Sequence, residues 1–317
     1  MNHNKLALVA LSIAASSAMS GPLNPPSGPI APTGKTLTEV EPRVAINSTN
    51  TPGDANSAFK ITRSGSYYLT QDYSILGFQT DLHAIEIAAN NVSIDFNGFK
   101  LTGLGGALSG IVSDGGNYRD IVIRNGTINS FEHGIKLDRN DGNDVVVENM
   151  QVFDNEFSGI FISSGHVRNC IVKNNGSVGV SVLSDGIVEG CSVIDNDSHG
   201  IDAGIGSIVR DCIVRSNFND GIRVSARCVI RDNVISDNGI ATGDRAGVQV
   251  LGSDSLIKDN VITNNEFGIR SSAISVFVQN IVSGNFIDID VSGSNPGLAG
   301  QASSPNGAGA WDNIVLP

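Results

Sequence analysis

An all-β, three-faced parallel solenoid is the fold this sequence predicts, and three observations predict it. Between Gly110 and Asn285 one short phrase recurs about eight times, roughly every 21 residues, as in Gly179-Val-Ser-Val…Cys191-Ser-Val-Ile-Asp-Asn196 and Gly200-Ile-Asp-Ala…Cys212-Ile-Val-Arg-Ser-Asn217. A fixed period of this length marks repeats that bury their faces only against one another. Within each repeat, three short β-branched runs alternate with Gly, Asn and Asp, which reads as three strands and three bends per turn. Abundant glycine (37 residues), few aromatics (5%) and few charges (16%) suit such a tightly turned coil.

From the N-terminus, Lys5, the apolar Leu6–Ala15 run and Ala18-Met19-Ser20 have the form of a secretory signal over residues 1–20, cleaved before Gly21. That run is too short to span a bilayer, and no later segment is longer, so no transmembrane segment is expected. The expected location is secreted or periplasmic. Residues 21–57 are Pro/Gly/Ser-rich and read as extended. Residues 58–73 read as a hairpin around Ser64-Gly65 that caps the open end of the solenoid. The parallel coil with its cap then occupies residues 58–291, in about nine turns. Residues 292–317 form a Gly/Ser-rich tail, with Trp311 and Ile314-Val-Leu docking back as a plug.

Aligning the repeats sorts residues into columns. Gly110, Gly134, Gly159, Gly179, Gly200, Gly221, Gly247 and Gly268 open each repeat, as a bend before a strand. Ile111, Ile135, Ile160, Val180, Ile201, Ile222, Val248 and Ile269 follow as inward residues. Asn155, Asn175, Asn196, Asn217, Asn238, Asn265 and Asn285 form an Asn column, with Asn taking the left-handed backbone of the bend. Cys170, Cys191 and Cys212 share another column, continued by Asn233, Asn260 and Asn280. Neighbours there would be close enough for one disulfide, but three thiols cannot all pair, and a buried ladder of free cysteines is the expectation. Cys228 lies outside that column.

The Gly-Ile…Asn repeats over roughly residues 80–290 resemble the right-handed parallel β-helices of the pectate-lyase-like superfamily. The resemblance implies a single right-handed β-helix. It implies activity far less, because the same repeats serve lyases, hydrolases, epimerases and adhesins. Enzymes of the superfamily work on the outer face of the strand that follows the Gly column. Here that face offers His199, Asp202, Asp220 and Arg223 from two consecutive turns as catalytic candidates. They suit elimination from a uronate, with Arg223 or His199 taking the proton, and equally hydrolysis by two carboxylates. Lys136, Phe161, Gln249, Arg245 and Arg270 are the substrate-binding candidates, with Phe161 and Phe267 exposed for stacking on sugar rings. The insertion Ile240–Asp244 lies beside them. Arg223, Arg245 and Arg270 make a local basic strip of the kind an acidic polysaccharide needs in a chain of net charge −12. That overall charge argues against nucleic acid.

A second cluster, His133, Lys136 and Asp138, precedes a loop in which Asp138, Asp141 and Asp144 are candidate Ca²⁺ ligands, a plain turn being the alternative. Two functional readings stay open. One is an exported protein that binds, and as an enzyme cleaves by lyase or hydrolase chemistry, an extracellular polysaccharide. The other is a non-catalytic surface or adhesion rod, on which mixed charges only keep an exposed β face solvated.

Overall fold

The computed structural model describes residues 42–76, 82–113, 115–138, 144–239, 243, 245–291, 297–298, 301–302 and 313–316. The expected leader, Asp141, Trp311 and most of the 240–244 insertion lie outside them. All regular elements described are strands. The first face of the coil is a sheet of eleven strands in chain order, each parallel to the next. Its strands number the coils here: 1 (Ser57–Ile61), 2 (His83–Ile87), 3 (Ser109–Ser113), 4 (His133–Leu137), 5 (Ile160–Ile162), 6 (Val180–Ser184), 7 (Ile201–Ile205), 8 (Ile222–Val224), 9 (Ala246–Val250), 10 (Phe267–Ser271) and 11 (Ile287–Asp290). The second and third faces carry the other strands, for example Ile187–Glu189 and Ser192–Ile194, which pair with Ile208–Arg210 and Ile213–Arg215 one coil on. Two coils run both faces as one strand, Ile121–Asn129 and Val145–Phe153.

Eleven coils among the described residues exceed the nine expected, and the reason lies at the two ends. Residues 58–73 are not a hairpin. Ser57–Ile61 pairs in parallel with His83–Ile87 on the first face, and Gly65–Tyr68 pairs in parallel with Val92–Asp95 on the second. Ser64-Gly65 therefore turns a corner of coil 1 rather than folding a strand back on itself. Alternating apolar residues around a Gly look the same in both cases. The edge of the second face is covered by Val44–Ala45, again parallel.

The inward column Ile111 to Ile269 is fully buried, as are Val188, Val209, Ile230 and Ile257 on the second face and Val193, Val214, Ile235 and Ile262 on the third. One continuous β-branched core results, and it is the main source of stability in such a rod.

At the bend between the third and first faces, the Asn column is a hydrogen-bonded ladder. Each Nδ2 donates to the Oδ1 of the next coil: Asn155 to Asn175 at 2.8 Å, then Asn196, Asn217 and Asn238 at 2.9 Å each, Asn265 at 3.2 Å and Asn285 at 3.0 Å. Each Oδ1 also accepts the backbone N–H of the preceding ladder residue, as Asn217 does from Asn196 at 3.1 Å. The left-handed backbone belongs to the residue before the ladder. Asp154, Asn174, Asp195, Ser216, Asp237 and Asn264 have φ of 54°, 53°, 54°, 56°, 57° and 55°. The glycine column has a different purpose from the expected bend. A Cβ on Gly200 would stand 2.6 Å from Asn217 Nδ2 and 2.7 Å from the Gly221 carbonyl. Glycine is needed there for close approach of the next coil and its ladder Asn.

The second ladder lies between the second and third faces. All four cysteines are free and buried. The Cys212 N–H donates to Asn233 Oδ1 at 3.0 Å, and Asn233, Asn260, Asn280 and Asn313 continue with side-chain bonds of 2.9 Å each. Asn313 opens the strand Asn313–Leu316, parallel to Ile281–Ser283. Cys228 belongs to a third column, in which its N–H donates to Ser255 Oγ at 3.1 Å and the Ser255 N–H donates to Ser275 Oγ at 3.3 Å.

Removing a central rung should be costly, because the neighbours stay buried with unpaired polar groups. Asn217→Ala is expected to destabilise the protein by about 2–4 kcal/mol, from several lost buried bonds at ~1 kcal/mol each. Urea unfolding of this variant beside Asn285→Ala, at the last coil, measures it. The terminal variant should lose distinctly less.

Candidate functional site

Parallel register carries one outward position of the first face straight along the rod. From coil 1 to coil 11 it holds Lys60, Glu86, Val112, Lys136, Phe161, Ser181, Asp202, Arg223, Gln249, Arg270 and Asp290. Neighbours in this row stand about 4.8 Å apart. The residue just before each glycine adds His133, His199 and Asp220 on one side of the row.

The four catalytic candidates do meet, as two pairs. Arg223 grips Asp202 with both ends of its fork, Nε to Oδ1 at 3.1 Å and Nη2 to Oδ2 at 2.6 Å. This bidentate bond pushes the guanidinium above its already high pKa. Arg223 therefore stays protonated and is no candidate for a base, which leaves His199 of the two sequence candidates. His199 Nδ1 lies 3.0 Å from Asp220 Oδ2. The carboxylate oxygen sits off the ring N–H direction, so the contact is electrostatic rather than an aligned hydrogen bond. Asp220 is only 5% exposed and is held by the Ala246 N–H, which donates to Oδ1 at 2.7 Å.

Beside these pairs, Asp220, Arg223, Gln249, Leu251, Arg270 and Ser272 line an open cavity of about 360 Å³. Gln249 is nearly buried between Arg223 and Arg270 in the row. The expected basic strip is internally neutralised. Arg223 is bound to Asp202, Arg270 lies 3.3 Å from Asp290, and Arg245 turns away to stack 4.3 Å over Phe218 and donate to its carbonyl at 2.9 Å. Phe267 is not an exposed sugar platform: it is 9% exposed, with the Arg270 guanidinium 5.0 Å over its ring. Phe161 is half-buried in the row. Asp290 was absent from the sequence candidates, although its alternation in Ile287-Asp-Ile-Asp290 is the signal for an outward partner.

Lys136 belongs to a separate place. With Asn56, His83, Glu86, Ser113 and Asp138 it lines a cavity of about 280 Å³ across coils 2 to 4. Glu86 bonds Lys60 at 2.7 Å, and Lys60 also bonds Asp54 at 2.8 Å. This lysine contact holds the Asp54 carboxyl at a pKa of about 2. His83, Glu86 and Lys60 are not legible as site residues from the repeat, because the Gly column begins only at Gly110. The calcium reading gains no support. Asp141 lies outside the described residues, Asp138 shares its cavity with the Lys136 cation, and no group of three or more ligating side chains able to hold a metal occurs among the described residues.

Residues 109–255 match the family described as right-handed β-helix region. The chain folds as a right-handed parallel β-helix. Three solved structures share this fold. The A-module of mannuronan C-5 epimerase AlgE4 from Azotobacter vinelandii superposes with a TM-score of 0.53 at 15% identity, over 75% of this chain and 91% of that one. The catalytic domain of a GH87 α-1,3-glucanase, in complex with tetrasaccharides, gives 0.54 at 13% identity, over 86% and 62%. Tailspike protein 2 of the Escherichia coli O157:H7 bacteriophage CAB120 gives 0.50 at 13% identity, over 87% and 41%. At these identities the likeness is one of fold. No curated protein matches the β-helix by sequence.

His133 supplies a test of this face by pH. Burial, reinforced by the Lys136 charge, lowers its pKa from 6.5 to about 4, and burial lowers that of His83 as well. The unfolded chain takes up protons below about pH 6.5 that the folded β-helix refuses, so stability is complete above that pH and falls towards pH 4. Urea midpoints measured across this window should drop as pH falls, and His133→Gln should flatten the profile.

Proposed function

We propose that the protein is an exported carbohydrate-binding β-helix that holds a stretch of polysaccharide along its first face, from coil 7 to coil 10. The observation that carries this reading is the cavity beside Arg223, Gln249 and Arg270. There two guanidinium groups and an amide, spaced by one strand each, present hydrogen-bond donors in a row, with Leu251 as an apolar floor and Ser272 as a further hydroxyl. Repeated planar donors at a fixed pitch suit a repeating polyhydroxylated ligand. The folds of a mannuronan epimerase and of a glucanase bound to tetrasaccharides support the same class of ligand. Because both arginines already face aspartates, recognition rests on hydrogen bonds more than on net charge.

Titration with mannuronate and α-1,3-linked glucose oligosaccharides tests this. At least one series should bind saturably, Arg223→Ala and Gln249→Ala should each weaken binding about tenfold (~1.4 kcal/mol), and added salt should change the affinity little. Absence of binding by both series would leave the non-catalytic rod as the better reading. Export has its own check: the mature protein recovered outside the cytoplasm should have the mass of a chain beginning at Gly21.

One observation favours cleavage in addition to binding. Asp220, buried and held in place, lines the same cavity, and His199 Nδ1 lies 3.0 Å from it. A histidine beside a buried carboxylate is a candidate general base for either elimination or hydrolysis of a glycan. His199→Ala should abolish product formation, followed as new reducing ends or unsaturated uronates, while leaving oligosaccharide affinity within about twofold. Equal turnover in this variant would rule the pair out as the base.

A further inference from the structure

The cavity over coils 2 to 4 is lined by polar side chains, and none of them takes part in the site proposed around Arg223. Its deepest group is Glu86, 4% exposed, with Oε1 on Lys60 and Oε2 buried without a hydrogen-bond partner. The Nδ1 atoms of His83, in the cavity wall, and of His133, two strands away in the same column, are also buried without partners. The unpaired carboxylate oxygen of Glu86 and imidazole nitrogen of His83, both in residues lining the cavity, cost free energy that donors from a ligand would recover. Around them Asn56, Ser113, Lys136 and Asp138 offer both donors and acceptors at the rim.

The cavity over coils 2 to 4 carries an excess of negative charge. Among lining residues, Glu86 and Asp138 face Lys136 alone, and adding the Lys60–Asp54 pair leaves the excess negative. The other cavity is lined by Arg223 and Arg270, each paired with an aspartate of a neighbouring coil, and by Asp220. A carboxylate would be repelled at coils 2 to 4, whereas hydroxyl or ammonium donors would be attracted. The volume, about 280 Å³, suits one small polar ligand.

We propose that this cavity is a second binding site, specific for a single sugar unit that carries hydroxyl or amino groups and no carboxylate. It lies on the same face as the Arg223 cavity and about six strand spacings away, roughly 29 Å. The two sites are therefore independent in contacts, and this one does not rest on the polysaccharide reading of the other.

Histidine ring NMR separates them, since His83 and His133 report on coils 2 to 4 and His199 on the Arg223 cavity. Glucosamine, glucose and galacturonate are the probes, with a galacturonate trimer for the second cavity. Glucosamine and glucose should move the His83 and His133 signals saturably, and galacturonate should not. Glu86→Gln and the rim variant Asp138→Asn should each weaken that response at least tenfold, with circular dichroism confirming the fold, while Arg223→Ala leaves it unchanged. The proposal is overturned if neither neutral nor amino sugar moves these signals, if galacturonate moves them equally, or if Asp138→Asn and a folded Glu86→Gln respond like the parent. A trimer that moves only His199 while the monosaccharides fail would sink this site and leave the polysaccharide reading standing.

Discussion

Every feature of this molecule depends on one constraint, that each coil must satisfy the backbone and bend of the coil beneath it at a single strand spacing. The asparagine ladder expresses it most fully. One Oδ1 accepts both a side-chain and a backbone N–H from its neighbour, as Asn217 does from Asn196 at 2.9 and 3.1 Å. The glycine column follows from the same spacing, because a Cβ there would strike the ladder Asn and the next glycine carbonyl. So does the left-handed Asp, Asn or Ser before each rung, which turns the chain so that the following Asn points inward.

The stacking that builds the core also determines the electrostatics of the surface. Outward residues of successive coils face one another at ~4.8 Å, where opposite charges pair readily: Lys60 with Glu86, Arg223 with Asp202, Arg270 with Asp290. An acidic protein can in this way keep arginines along one outer row without presenting a strong positive field. The pairs also hold the guanidinium planes in fixed orientations.

Two separate polar cavities on one face are a consequence of linear construction. A solenoid has no single centre on which function must converge, and distant coils can hold separate ligands without disturbing each other. The shared fold with an epimerase A-module, a glucanase domain and a tailspike shows how broadly that scaffold is used. The side chains of the row decide what this member does with it.

The repeat by itself determined the coil, its inward columns, the cysteine and asparagine ladders and the outward row, since each follows from a period that short-range sequence displays directly. It did not reveal that residues 58–73 turn a corner, because alternation around a glycine is common to hairpins and parallel coils. Nor did it reveal why the glycines are there, which depends on atoms some 20 residues away. The site was legible as a set of residues on one face. Its partners were not: Arg223 is bound by Asp202 one coil below, Arg245 leaves the strip for Phe218, and Glu86, from a coil that precedes the glycine column, gathers with Lys136. Pairing across coils is a three-dimensional choice among neighbours at equal spacing, and only the tertiary structure makes it.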